Sequence, residues 1–177
     1  PFNYFTQGVG CVEVEVDVLT GDHSVLRADL LVDLGSSINP ALDIGQIEGA
    51  FAQGYGWLTM EEVLFSESGA PLTTGPSTYK IPAVGDIPLD LRVALLERAP
   101  QPGVIHGSKA VGEPPFMLGI AVLNAMRHAI SSFVDGTHEV RIDPPCTPEA
   151  LLRSIEELCA RATQAEGPPG GPTAVHP

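Results

Sequence analysis

The sequence predicts an α+β fold: mixed or antiparallel sheets with hairpins, packed against a Gly-rich helix, a buried apolar helix and a C-terminal amphipathic helix. Three observations carry this. Valines alternate with acidic residues from Val12 to Val18 and run into a Gly-Asp turn, the signature of a half-buried hairpin strand. Two central segments begin with capping residues or prolines and continue as helices, one rich in glycine and one apolar. The last regular segment, "TPEALLRSIEELCARA", repeats apolar residues at helical spacing.

In chain order, "VGCVEVEVDVL" is the first strand, with Val12, Val14, Val16 and Val18 facing inward and Glu13, Glu15 and Asp17 outward. "SVLRADLLVDLG" is its return strand, and its uniformly apolar end, Leu30–Leu34, is expected to be central. "GSSINPALDIGQ" offers Ser37, Asn39 and Asp43 as helix caps and Pro40 for a first turn. The helix then runs over Ala41–Glu62 with Gly45, Gly49, Gly54 and Gly56 inside it. Each glycine costs about 1 kcal/mol relative to alanine, so close approach by a neighbour is expected to compensate. "LFSESGAPL" reads as a strand with a turn, "TTGPSTYKIPAVGDIP" as an irregular polar segment, "DLRVALLE" and "GVIHGS" as strands. A second helix is expected over Pro115–Phe133, covered all round because "PFMLGIAVLNAM" lacks a polar face. "HEVRI" reads as a short strand. The final helix has Thr147 as cap and Pro148 in its first position. Residues 1–163 are read as one domain and 164–177 as a disordered Pro/Gly-rich tail.

The chain has 177 residues, 44% hydrophobic and 18% charged, and a formal charge of −13. That balance argues against a nucleic-acid surface and against docking to anionic membrane. Cys11, Cys146 and Cys159 match neither zinc nor iron–sulfur spacing and read as reduced thiols of an intracellular protein. The five histidines form no HxH or HxxxH pair, and no metal ligand set is evident. The apolar run Pro114–Met126 is read as too short to span a bilayer. The chain starts at Pro1 with its first methionine at Met60, and is read as a piece of a longer polypeptide.

Three groups of residues could carry chemistry. Gln46, Gly49, Ala50 and Gln53 share one helix face. That face suits either tight packing through small residues or recognition of a polar cofactor, such as a pterin ring or phosphate, by amides. "GPSTYKIPA" sets Ser77, Thr78, Tyr79 and Lys80 in a stiff loop that either crosses the surface or presents groups to a site. "GSKAVGEPP" places Ser108, Lys109 and Glu113 within six residues. Glu113 is either an ordinary anion at a helix N-terminus or a general base beside a cation, in a poorly solvated position at the mouth of a buried site.

Four segments, "EVEVDVLTGDH", "DLGSSINPALDIGQIEGAFAQG", "GPSTYKIPA" and "GSKAVGEPP", together resemble the molybdenum hydroxylases of the xanthine dehydrogenase/xanthine oxidase family. The resemblance runs from Pro1 to about Cys159 and covers the C-terminal part of that family's molybdopterin-binding region. It implies that Glu113 is the catalytic base for oxidising hypoxanthine or xanthine to urate. It further implies that Gln46 contacts the pterin, and that Ser108, Lys109, Ala110, Val111 and Gly112 pack around the same cofactor. Molybdenum would be in the sulfido form and held by the pterin rather than by side chains. FAD and 2Fe–2S centres would sit in other parts of the enzyme, so this chain is expected to be inactive alone and to work with the rest of its polypeptide. A homodimer in the cytoplasm, or in the peroxisome, is the family's setting. Aldehyde oxidases share much of the pattern. Their last motif has Ser after the glutamate where this chain has Pro114, which favours the xanthine side. A non-catalytic interaction module is the remaining alternative.

Overall fold

The expected hairpin is present. In a computed structural model that describes residues 3–134 and 136–166, β1 (Gln7–Val16) pairs antiparallel with β2 (His23–Asp33). A bulge at Glu13/Val14 shifts the register, so Glu13 faces Arg27 while Val14 faces Val25. Gly21 takes the tight turn at φ 75°. A side chain there would also strike the backbone of Pro148, so this turn seats the start of the last helix.

β3 (Asp90–Leu95) lies parallel to β2 on its other side, giving a mixed three-stranded sheet in the order β1-β2-β3. β2 is therefore central, as its apolar end predicts, and Val25, Ala28, Leu30, Val32 and Leu34 are buried along it. Leu31 points to the other face and is 40% exposed.

α1 (Pro40–Thr59) supplies Ile47, Phe51, Tyr55 and Leu58 to the same core. α2 (Ile120–Val134) adds Val122, Leu123, Met126 and Ile130, and α3 (Pro148–Glu166) adds Leu151, Ile155 and Leu158. Each such side chain contributes about 1.5–3 kcal/mol on burial. Thr147 caps α3 by accepting from the Ala150 N–H at 3.3 Å.

Several expected elements differ. Around "LFSESGAPL" there is one bridge, Phe65–Pro71, closed over a Ser66–Ala70 turn, rather than a strand. "GVIHGS" forms a 3₁₀ turn, Ile105–Gly107, because His106 and Gly107 adopt φ 55° and 66°, which no strand allows. "HEVRI" makes no strand: its carbonyls are taken by side chains, with Arg161 at Glu139, Ser154 at Arg141 and Arg127 at Ile142.

The second helix starts as a 3₁₀ segment, Pro114–Gly119, before α2 begins. It is not covered all round: Met117 and Phe133 are 53% and 52% exposed, and one stripe alone is buried. Pro114–Val134 spans 21 residues at mean hydropathy 1.3, long and apolar enough to cross a membrane by length and composition, although here it packs on β1, α1 and α3. α3 extends through Glu166, three residues past the expected tail boundary, and residues 167–177 lie outside the described residues.

Candidate functional site

α1 begins where the sequence places its caps. Asn39 accepts from the Leu42 N–H at 3.4 Å, and Ser37 donates to the Asp43 carboxylate at 2.5 Å. From this fixed start the helix divides into two sides. Ile47, Ala50 and Phe51 are buried, while Gln46, Gly49 and Gln53 are exposed.

The glycines divide the same way. A Cβ at Gly45 or Gly49 would meet nothing within 4 Å, so those two glycines leave a bare backbone shelf. Gly54 and Gly56 are the compensated ones. A Cβ at Gly54 would collide with the Phe116 carbonyl, and one at Gly56 with the Pro82 ring. Gly119 answers Gly54 from the other side, where an added Cβ would lie 2.7 Å from the Gly54 carbonyl carbon. Two backbones thus touch where α1 crosses the turn that follows Glu113.

The loop from Gly107 to Glu113 is fastened along its first half. Gly35, at φ 71°, lies so close to the Gly107 carbonyl that no side chain fits, and Gly35 bridges to Ser108. The Ser36 N–H donates to the Gly107 carbonyl at 2.8 Å, and the Lys109 N–H to the Leu34 carbonyl at 2.7 Å.

The Lys109 ammonium donates to Asp33 Oδ2 at 2.6 Å and to the Phe5 carbonyl at 3.0 Å. Burial alone would raise the Asp33 carboxyl. The hydrogen bond from Lys109, a second from the Gly35 N–H and the lysine charge outweigh it and hold that carboxyl below its usual range. Ala110 is gripped on both backbone groups, its N–H donating to Tyr4 Oη at 3.1 Å and its carbonyl accepting from Thr6 Oγ1 at 3.4 Å. Ser108 Oγ reaches the Lys109 carbonyl at 3.5 Å. Val111 packs on the hydrophobic core.

Gly112 faces α1. A Cβ there would sit 3.7 Å from the Gln46 Nε2 and meet nothing else within 4 Å. The structure therefore brings Gln46 to the end of the 108–112 loop, next to Glu113. Glu113 is exposed and caps the 3₁₀ segment through its backbone, its carbonyl accepting from the Phe116 N–H at 3.0 Å. The expected poorly solvated setting is not what this chain provides, because no described element covers that side of the loop. Lys109 is committed to Asp33 and Phe5 rather than presented as a free cation.

"GPSTYKIPA" braces the other end of α1. The Tyr79 hydroxyl donates to Glu61 at 2.5 Å, and this contact raises the Tyr79 phenol above its ordinary range. Lys80 is exposed. A cavity of about 410 Å³ between this loop and α1 is lined by Gln53, Trp57, Glu61, Ile81 and Phe116. Among the described residues no group of three or more His, Cys, Asp or Glu side chains is placed to hold a metal.

Sequence reasoning missed Asp33, Tyr4 and Thr6. Asp33 did carry a signal, since an acidic residue interrupting an apolar strand end needs a partner, but nine Lys and Arg residues in the chain leave that partner unspecified.

A family model described as a molybdopterin cofactor-binding domain matches residues 1–88. Among curated proteins, a xanthine dehydrogenase from Dictyostelium discoideum is 57% identical over 132 residues, covering 75% of this chain and 10% of the relative. A xanthine dehydrogenase/oxidase from Mus musculus is 50% identical over 173 residues, covering 92% and 13%. The chain thus spans about a tenth of the length of the relatives it matches. Among solved structures, the quinoline 2-oxidoreductase of Pseudomonas putida 86 superposes at TM-score 0.73 with 36% identity, over 82% of this chain and 18% of that one. The aldehyde oxidoreductase of Desulfovibrio gigas superposes at TM-score 0.74 with 31% identity, over 88% and 16%.

Proposed function

Since the chain belongs to the xanthine dehydrogenase/oxidase family of molybdenum hydroxylases, as a stretch of its molybdopterin-binding region, we propose that it contributes the catalytic base and one wall of the cofactor site to a purine-oxidising enzyme. The observation that carries this reading is the meeting of Gln46 with Gly112 beside Glu113.

The residues present fit the cofactor. Gly45 and Gly49 leave a side-chain-free shelf, Gln46 and Gln53 offer amide donors and acceptors along it, and Gly112 leaves the loop backbone open. Gln46 and the backbone of Ser108, Lys109, Ala110, Val111 and Gly112 would hold the pterin. When bound, the molybdenum cofactor, in its sulfido form, supplies two-electron redox chemistry. Hydroxylation of an electron-poor ring carbon with oxygen from water releases two electrons and two protons. Glu113 takes up one of those protons at its carboxylate. Its position ahead of Pro114-Pro115, with Ala110 gripped upstream, limits how far that carboxylate can wander.

The substrate would be hypoxanthine or xanthine, and the product urate. The curated relatives named above carry xanthine in their names, and Pro114 in the Gly112-Glu113-Pro114 motif points the same way. The electrons would leave through 2Fe–2S and FAD groups elsewhere in the longer polypeptide, which would act as a homodimer in the cytoplasm or peroxisome. By itself the chain would be inactive, because the side of Glu113 that this structure leaves exposed needs the rest of that polypeptide. The folded unit would run through the end of α3 at Glu166 rather than stop at residue 163.

The test is Glu113→Gln in the full-length enzyme, with xanthine turnover and molybdenum content measured separately. General acid–base catalysis contributes about 10²–10⁴-fold. A fall in kcat of at least about 100-fold with molybdenum retained is expected. Turnover near the unsubstituted rate with cofactor bound would overturn the assignment.

A further inference from the structure

We infer that Asp33 is a positioning residue for the base, acting through Lys109 to fix the loop that carries Glu113; the inference rests on the reading of Glu113 given above. Asp33 ends β2, and its two carboxylate oxygens are both used. Oδ1 accepts from the Gly35 N–H at 3.0 Å and Oδ2 from the Lys109 ammonium at 2.6 Å. One side chain thereby ties the backbone turn leaving the central strand to the loop returning from the 3₁₀ turn at Ile105–Gly107.

The pair is shielded from water: the Lys109 side chain is 6% exposed and that of Asp33 13%. At that depth removing one partner strands the other charge. The third strand of the clasp is the segment ahead of β1. Phe5 offers its carbonyl to the Lys109 ammonium, and Tyr4 and Thr6 take the two backbone groups of Ala110.

This arrangement leaves the base little freedom. The loop is fixed at Lys109 and Ala110. It is fixed again from Pro114 on, where the 3₁₀ segment is pressed against α1 by the Gly54–Gly119 backbone contact. Only Val111, Gly112 and Glu113 lie between these anchors, and Val111 is held by the core. Lys109 and Ala110 are thus the last fixed points before the short Val111–Glu113 span, so loosening the Lys109 anchor frees the end of the loop that meets Gln46. A misplacement on the order of 1 Å in catalytic geometry is enough to cost about 10²-fold in rate.

The experiment uses the full-length enzyme. Asp33→Asn keeps the size and the Oδ1 acceptor for Gly35, but turns a donor toward the ammonium. We measure kcat per bound molybdenum, KM for xanthine, and peptide-resolved hydrogen exchange. The expected result is at least a 10-fold fall in kcat per molybdenum, with KM within twofold. It is joined by at least 10-fold faster exchange in the peptide that contains Lys109 and Ala110, while the peptide covering α1 keeps its protection. Unchanged kcat per molybdenum and unchanged loop exchange would overturn the proposal. So would equal loss of protection in α1, which marks Asp33 as a general support of the fold.

Tyr4→Phe is the second variant, and it serves if Asp33→Asn fails to accumulate. It deletes one acceptor at Ala110 from a half-buried ring, and about threefold effects on kcat and on Ala110 exchange are expected. No change in either would count against the clasp. Glu113→Gln runs in parallel. If that variant turns over normally, the base assignment fails, and the exchange data still decide whether Asp33 fixes the loop.

Discussion

Two alanine substitutions on one helix are expected to move stability in opposite directions. Gly49 and Gly54 both lie inside α1, so each gains about 1 kcal/mol of helix propensity on becoming alanine. At Gly49 nothing opposes that gain, because an added Cβ meets nothing within 4 Å. At Gly54 the same methyl would overlap the Phe116 carbonyl oxygen and press on the Gly119 Cα at 3.3 Å. All of these are backbone atoms, so no rotamer change relieves the clash. Normal contact near 3.5–4.0 Å requires α1 and the Pro114–Gly119 segment to part by on the order of 1 Å.

Overpacking of this kind costs about 1–3 kcal/mol. The net effect of Gly54→Ala is then a loss of up to about 2 kcal/mol, against a gain of about 0.4–1 kcal/mol for Gly49→Ala. For a protein of this size each kcal/mol is about 2–4 °C in Tm. Urea unfolding of the 177-residue chain, followed by helical circular dichroism, measures both. If Gly54→Ala is as stable as Gly49→Ala, the close crossing of α1 over the 3₁₀ segment is wrong.

Other expectations concern single groups. Burial pushes the Cys146 thiol up to about 11, while Cys11 is exposed. A thiol reagent at pH 8 should therefore label Cys11 in the folded chain and reach Cys146 only after denaturant is added. Cys146 and Tyr55, the latter raised to about 12 by burial, both favour their neutral forms in the fold. Stability is fully present below the unfolded values of these groups and should fall as pH rises above about 9, visible as a dropping urea midpoint. His23 has the opposite sense. Burial lowers its pKa against the pull of Asp22 and Asp86, so the unfolded chain binds more protons near pH 6. The urea midpoint should decline between pH 7 and 5.5, and His23→Gln should flatten that decline. Thr147→Ala, which removes the α3 cap, should cost about 1 kcal/mol in the same assay.

The hairpin, α1 and α3 were legible in the sequence because local chemistry decides them: alternation, caps and periodicity all sit within a few residues. Each of the three failed strands has its own cause. "LFSESGAPL" folds back on itself over the Ser66–Ala70 turn, "GVIHGS" has three residues at positive φ (Gly103, His106 and Gly107), and side-chain donors claim the carbonyls of "HEVRI". Covering α2 on all sides was an overreading, since an apolar segment reveals that it avoids water and not which side is met by which neighbour.

The site was half legible. Gln46 and the loop ahead of Glu113 were singled out from spacing and family likeness. Their meeting joins segments more than sixty residues apart, and the loop is also tied to β2 by an ion pair between residues 33 and 109. No local pattern encodes a partnership over that distance. The sequence reads Lys109 as a cation beside the base, whereas the fold engages it with Asp33 and the Phe5 carbonyl.

That engagement has a practical side. The chain contains two lysines, and the salt bridge withdraws one of them from solvent. Lys80 is the exposed one, on the loop braced against Glu61. Within this stretch, amine-directed acylating dyes and crosslinkers should therefore favour Lys80 over Lys109 and mark that loop. A fluorophore placed this way would report on the far end of α1 without touching Gln46 or Glu113. Delayed modification of Lys109 would give a clock for how often the clasp opens.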